Sequence, residues 1–128
     1  MNRVALKKAE ESKDVYRARV GAVIANKKQI LSSGINQMRG FKFCPTDRKW
    51  PNSLHAEQDA ILKLLNSRKC NQLIGSTIFI SRILRSGKPG NAKPCKICEQ
   101  LIKTVGIKKV VYTTETGVKS YRVRDENF

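Results

Sequence analysis

Val20-Gly-Ala-Val-Ile-Ala25 is a nearly continuous apolar run, the pattern of a strand covered on both faces. A polar turn at Asn26 to Gln29 leads into a second strand, Ile30 to Gly34, and a link so short makes the two an antiparallel hairpin. Ahead of them, Asn2 to Lys13 reads as a weakly amphipathic helix with Val4, Leu6 and Ala9 as its apolar residues. After them, Asn36 to Ser53 carries Gly40, Pro45, Pro51 and the aromatics Phe41, Phe43 and Trp50 without any period, so a long loop is expected there.

His55 to Leu65 then recovers a helical period, with Ala56, Ala60, Ile61, Leu64 and Leu65 forming one stripe. Thr77-Ile-Phe-Ile80 reads as a buried strand, and Arg82 to Lys93, with Gly87, Pro89 and Gly90, as a loop or loose hairpin. Pro94 is placed to open a helix whose apolar face is Ile97, Leu101, Ile102 and Val105, and Gly106 to close it in a left-handed cap. Val110 to Thr114 is the fourth strand, and Val118 to Val123 follows a turn at Glu115-Thr116-Gly117 as an edge strand. No crossover helix fits between these last two, so they are antiparallel. The order α, β, β, α, β, α, β, β is that of one α/β domain over residues 1–128, a mixed five-stranded sheet with helices on its faces.

Composition narrows the setting. The chain has 128 residues, 40% hydrophobic and 28% charged, which suits a globular domain with a core of its own. No apolar run approaches the length of a membrane span and the N-terminus lacks a signal core, so a soluble cytoplasmic protein is expected. Four cysteines, two in a Cys-x-x-Cys, fit a metal site in a reducing compartment better than a disulfide framework.

Charge changes the picture further. The formal net charge is +16, which favours anionic partners such as nucleotides or nucleic acid. No Asp or Glu occurs between Val15 and Thr46, nor between Ala60 and Cys98. Glu57 and Asp59 lie between these two basic stretches.

The residues that carry chemistry are His55-Ala56-Glu57 at one helix start and Pro94-Cys95-Lys96-Ile97-Cys98 at the next. Cys95 and Cys98, three apart, project from one helical face, and the positive end of the helix dipole stabilises their thiolates. With His55, the single histidine of the chain, they make three zinc ligands and leave a fourth position for water, the catalytic arrangement. Glu57 can lie beside the metal without ligating it, and can pass a proton from water to a leaving amine. The alternative is a closed structural site with Cys44 or Cys70 as fourth ligand, which leaves Glu57 without a role beside the metal.

His-x-Glu followed by Pro-Cys-x-x-Cys matches the signature of zinc nucleobase deaminases. On these residues, together with Arg19-Val-Gly-Ala-Val-Ile24, Gly34-Ile35-Asn36 and Tyr112-Thr113-Thr114, the sequence resembles the cytidine and deoxycytidylate deaminase superfamily over about residues 17–114. The resemblance implies an α/β/α sandwich of cytidine-deaminase type, His55, Cys95 and Cys98 as zinc ligands, and Glu57 as proton shuttle. It further implies that Asn36 contacts the sugar of the bound nucleoside, that the backbone amide of Ala56 meets the base, and that the protein is a homo-oligomer.

The expected reaction is hydrolytic conversion of cytosine to uracil, on a phosphorylated cytidine such as dCMP. The alternatives are deamination of cytosine or adenine within single-stranded DNA or RNA, and a catalytically idle zinc fold that binds nucleic acid. Arg82, Arg85, Lys88 and Lys93 lead directly into the Pro94 helix and are the candidate phosphate or nucleic-acid contacts.

Overall fold

Strand β1 (Arg19–Asn26) is the spine of the sheet: its Ala22, Val23 and Ile24 are wholly buried because both of its faces are covered. It pairs antiparallel with β2 (Gln29–Ile35) on one side and with β3 (Thr77–Ile83) on the other. In the computed structural model, which describes residues 2–10, 19–27, 29–36 and 54–123, the remaining strands are β4 (Pro89–Gly90), β5 (Lys109–Thr114) and β6 (Gly117–Arg122). The order is β2-β1-β3-β5-β6, with β4 also on β3. β3 and β5 are parallel, and β5 and β6 are antiparallel across the short turn, as the missing crossover required.

The expected five strands are six. β3 continues past Ile80 to Ile83, and β5 accompanies it only as far as the pair Ile80 and Tyr112. The two residues of β4 take the next places, Gly90 opposite Arg82 and Pro89 opposite Ile83. Proline tolerates such an edge because no ladder bond asks for its missing N–H.

Helix α1 (Asn2–Glu10) covers one face of the sheet; α2 (Ala56–Leu65) and α3 (Lys96–Thr104) lie on the other. Alternation decides which residues meet which helix. Ala22 and Ile24 of β1, Ile78 and Ile80 of β3 and Val110 of β5 share one core with Ala56, Ala60, Ile61 and Leu64 of α2 and Ile102 of α3. On the opposite face Gly21 lies against the backbone of Ala5 and Ala9, leaving no space for a side chain.

The predicted C-terminal ends of α2 and α3 hold, and the starts of both shift. α3 closes in a Schellman motif: the Gly106 N–H donates to the Lys103 carbonyl at 3.2 Å and the Ile107 N–H to the Ile102 carbonyl at 3.2 Å, with Gly106 at φ +90. At its start, however, Cys95 is the cap residue with extended φ −69 and ψ 167, so Pro94 stands just outside the helix and not at its first position. Likewise α2 begins at Ala56, with His55 as its cap. The long expected loop after Asn36 and the end of the first helix lie outside the described residues. No helix among the described residues is long and apolar enough to cross a membrane.

Gly34 sets the height of α2 above the sheet. A Cβ there would stand 2.5 Å from both the Ala56 carbonyl oxygen and the Ala60 nitrogen, and backbone cannot yield as a side chain can. Gly34→Ala is expected to cost about 1–3 kcal/mol and to lower Tm by roughly 4 °C for each kcal/mol lost. A thermal melt indistinguishable from wild type would show that α2 is free to lift.

Candidate metal centre and active site

Two helix starts meet at one end of the sheet, and each is capped by a residue that offers a metal ligand. His55 holds its extended cap conformation because the Gln58 side chain accepts its N–H at 2.9 Å while its carbonyl accepts the Asp59 N–H at 2.9 Å. The Cys95 carbonyl accepts the Glu99 N–H at 2.8 Å in the same way. The geometry brings His55 Nδ1 to 3.2 Å from Cys98 Sγ and 3.8 Å from Cys95 Sγ. All three donor atoms lie within 4.8 Å of one another.

That spacing fits a single ion. Tetrahedral zinc with ordinary bond lengths sets its ligands about 3.5 Å apart from nitrogen to sulfur and about 3.8 Å apart from sulfur to sulfur. Cys98 is fully buried, His55 half-buried and Cys95 exposed, so the group opens to solvent on the Cys95 side. Cys70, the candidate fourth ligand among the described residues, is exposed on the 3-10 turn Cys70–Leu73 and does not belong to the group. Cys44, Phe43 and Trp50 lie outside the described residues.

Electrostatics agree with a cation at this place. Burial pushes the Cys98 thiol up, and the neighbouring Glu57 and Cys95 push it further. A positive ion offsets that cost for the thiolate. Glu57 is buried, and desolvation raises its carboxyl above the ordinary range. Its own backbone amide, the charge on His55 and a hydrogen bond with Cys98 act in the opposite direction.

The second acid of α2 has a different task. Asp59 Oδ2 accepts the Ile35 N–H at 3.1 Å and lies 3.2 Å from Lys63 Nζ, one turn along the helix. Lys63 in turn donates to the Ser33 carbonyl at 3.2 Å, and Ser32 Oγ donates to the Ala60 carbonyl at 2.8 Å. These bonds fasten α2 to β2. The i,i+4 spacing of Asp59 and Lys63 was the one sequence signal for them.

A further brace escaped the sequence reading altogether. The Tyr121 hydroxyl on β6 donates to Glu99 Oε2 at 3.2 Å, beside the zinc-type cysteines, and the Tyr121 ring meets Tyr112 edge-on at 6.1 Å. Burial first, then Glu99, raises the Tyr121 phenol, so it serves as a donor.

The other predicted site residues fall in distinct places. Asn36 secures the end of the β1–β2 ladder: its N–H donates to the Val20 carbonyl at 3.1 Å and its Oδ1 accepts the Val20 N–H at 2.9 Å. Ala56 is fully buried in the first turn of α2. Arg82 lies next to the end of β3, whereas Arg85 and Lys88 lie on the turn to β4, and Lys93 lies in the segment before Pro94. All four basic residues are exposed.

Comparison with known proteins places this geometry among relatives. The family model for the cytidine and deoxycytidylate deaminase zinc-binding region matches residues 1–114. A deoxycytidylate deaminase from Mycobacterium phage D29 is 27% identical over 130 residues, spanning 84% of this chain and 88% of the phage protein. The crystal structure of dCMP deaminase from the cyanophage S-TIM5, in complex with dCMP and dUMP, is 28% identical with a TM-score of 0.63, over 88% of this chain and 77% of that one. The cytidine deaminase of Burkholderia pseudomallei, 18% identical with a TM-score of 0.64 over 94% of this chain and 88% of its own, shares the fold.

Metal analysis of the purified protein is expected to find one zinc per chain. Cys95→Ser, Cys98→Ser and His55→Ala should each empty the site, and Cys70→Ser and Cys44→Ser should leave it filled. Loss of the metal in either of the last two would make the site a closed four-ligand one.

Proposed function

We infer the reaction from family and geometry together: this chain belongs to the cytidine and deoxycytidylate deaminase family, and we propose that it hydrolyses dCMP to dUMP and ammonia. The observation that carries the reading is the meeting of His55, Cys95 and Cys98 at two helix starts with the buried Glu57 carboxyl beside them. The substrate choice is supported by the cyanophage enzyme, whose structure holds dCMP and dUMP. These two molecules differ by the replacement of one amine by oxygen.

His55, Cys95 and Cys98 would hold zinc. When bound, zinc supplies Lewis acidity that makes water a nucleophile at neutral pH. The water oxygen bonds to C4 of cytosine, the C4–N bond breaks, and ammonia leaves. Glu57 carries the protons: of the two that the attacking water gives up, one goes to ring nitrogen N3 and the other to the departing amine nitrogen. Its burial raises its affinity for a proton and keeps the transfer out of bulk solvent. Ala56, at the first helical position, has a backbone N–H with no partner inside the helix, and this donor meets the base. Asn36, whose side chain bonds Val20, contacts the sugar in this reading. In this reading the active protein is a homo-oligomer and the surrounding positive charge draws in the nucleotide.

Glu57→Gln is expected to keep zinc and fold but lose about 10²–10⁴-fold in turnover. Ammonia release should be compared across cytidine, CMP, dCMP, dCTP, a single-stranded oligonucleotide and a tRNA, with dCMP expected to be turned over most efficiently. Near-normal rates in Glu57→Gln would remove it from the mechanism, and faster turnover of the oligonucleotide would overturn the mononucleotide substrate.

A further inference from the structure

Resting on the reading that the substrate is a phosphorylated cytidine, we propose that Arg82 alone among the four basic residues of the β3–β4 region grips the 5′-phosphate and sets the preference for nucleotide over nucleoside.

Strand alternation puts Arg82 on the side of the sheet that carries the metal ligands. Ile78 and Ile80 of β3 lie in the core beneath α2 and α3, and Arg82 is the next residue on that face. Unlike them it is exposed, so it stands at the rim where the core gives way to solvent. The ladder sets its neighbours. Arg82 is opposite Val20 on β1, and Val20 is bonded on its other side to Asn36. Asn36, Val20 and Arg82 therefore form one row across three strands. The row lies at the end of the sheet where Ala56 rests on Gly34, next to His55.

Two strand spacings separate the backbones of Asn36 and Arg82, about 10 Å. A nucleotide whose sugar is at Asn36 extends its phosphate over several ångströms, and the arginine side chain covers the rest.

The hairpin holds this arginine in place. Its N–H donates to Thr113 Oγ1 at 3.1 Å, and that hydroxyl donates to the Gly90 carbonyl at 3.0 Å. Gly90 stands opposite Arg82 on β4, packed so closely on Leu84 that a Cβ there would come within 2.7 Å of its Cδ2. One guanidinium nitrogen reaches the Asn91 carbonyl at 3.4 Å, and among the described residues no carboxylate pairs with the group. A planar fork with free donors and uncompensated charge matches a phosphate in both shape and sign.

The neighbouring cations are differently placed. Arg85 and Lys88 lie on the turn closed by bonds from the Leu84 N–H to the Lys88 carbonyl and from the Gly87 N–H to the Leu84 carbonyl, each 2.8 Å, beyond the row. Lys93 follows Asn91, whose Oδ1 accepts the Lys93 N–H at 2.9 Å, and shares no strand register with Asn36.

The test measures kinetics on dCMP, on deoxycytidine and on a single-stranded oligodeoxynucleotide with one cytosine, together with zinc content. It uses wild type, Arg82→Gln, Arg82→Lys and the double variant Arg85→Ser/Lys88→Ser. Arg82→Gln is expected to raise KM for dCMP about 10- to 100-fold, the effect of one charged hydrogen-bond partner. Its kcat should stay within about twofold, its zinc content should be unchanged, and its preference for dCMP over deoxycytidine should fall by the same factor as KM rises. Arg82→Lys should lie between, and the double variant should match wild type. A dCMP preference that survives Arg82→Gln, or is lost in the double variant instead, would overturn the assignment of Arg82 and leave the deaminase reading standing. A loss confined to the oligonucleotide would make the ligand a polynucleotide backbone and overturn it as well. Wild-type protein that releases ammonia from no cytosine substrate would overturn the deaminase reading itself.

Discussion

The close approach of α2 to β2 is the constraint on which the site depends. A ligand on a helix cap is only as well placed as the helix, and α2 is placed by contact of backbone with backbone over Gly34. Asp59 and Ser32 then fix its rotation by bonding to the two sides of that contact. With the helix so seated, His55 arrives at the start of α3, and the imidazole and two thiols stand close enough to share one ion. Preorganisation of this kind is what lets a few side chains act as a single centre.

Acids are scarce in this chain, and those described near the site are each committed. Glu57 is buried among the metal-type ligands, Asp59 ties helix to strand, and Glu99 receives the tyrosine of the last strand. The long basic stretches between them are left largely uncompensated, so the field around the site is positive while its interior holds the carboxyl that the chemistry needs. A substrate carrying negative charge is drawn to the rim by this arrangement, and an uncharged base can enter without displacing an ion pair.

Much of the fold was legible because its signals are local. The apolar run of β1, the stripe of α2, the glycine that ends α3 and the short links that force antiparallel pairing all follow from neighbours in sequence. So did the metal group, because His-x-Glu and Cys-x-x-Cys are short patterns with a chemical meaning at fixed spacing. What was not legible depends on distant partners. β4 is two residues long and exists only because β5 stops short of Arg82. The displacement of Pro94 by Cys95 as the neighbour of the helix follows from the cap conformation that the cysteine takes at the site. The Tyr121–Glu99 bond joins residues 22 apart, and neither residue type announces the other. Asn36 was read as the start of the loop after the second strand, and its bond to Val20 needed the ladder to be seen.

α2 and α3 lean on the same sheet but touch each other little. Across the seam between them, the described polar links are those of His55, Cys95, Cys98 and Glu57. An ion seated there is a rivet through two plates that otherwise share only a floor. Its binding energy is added to the cohesion of the whole domain by mass action. Metal occupancy and the cohesion of the domain would thus rise and fall together.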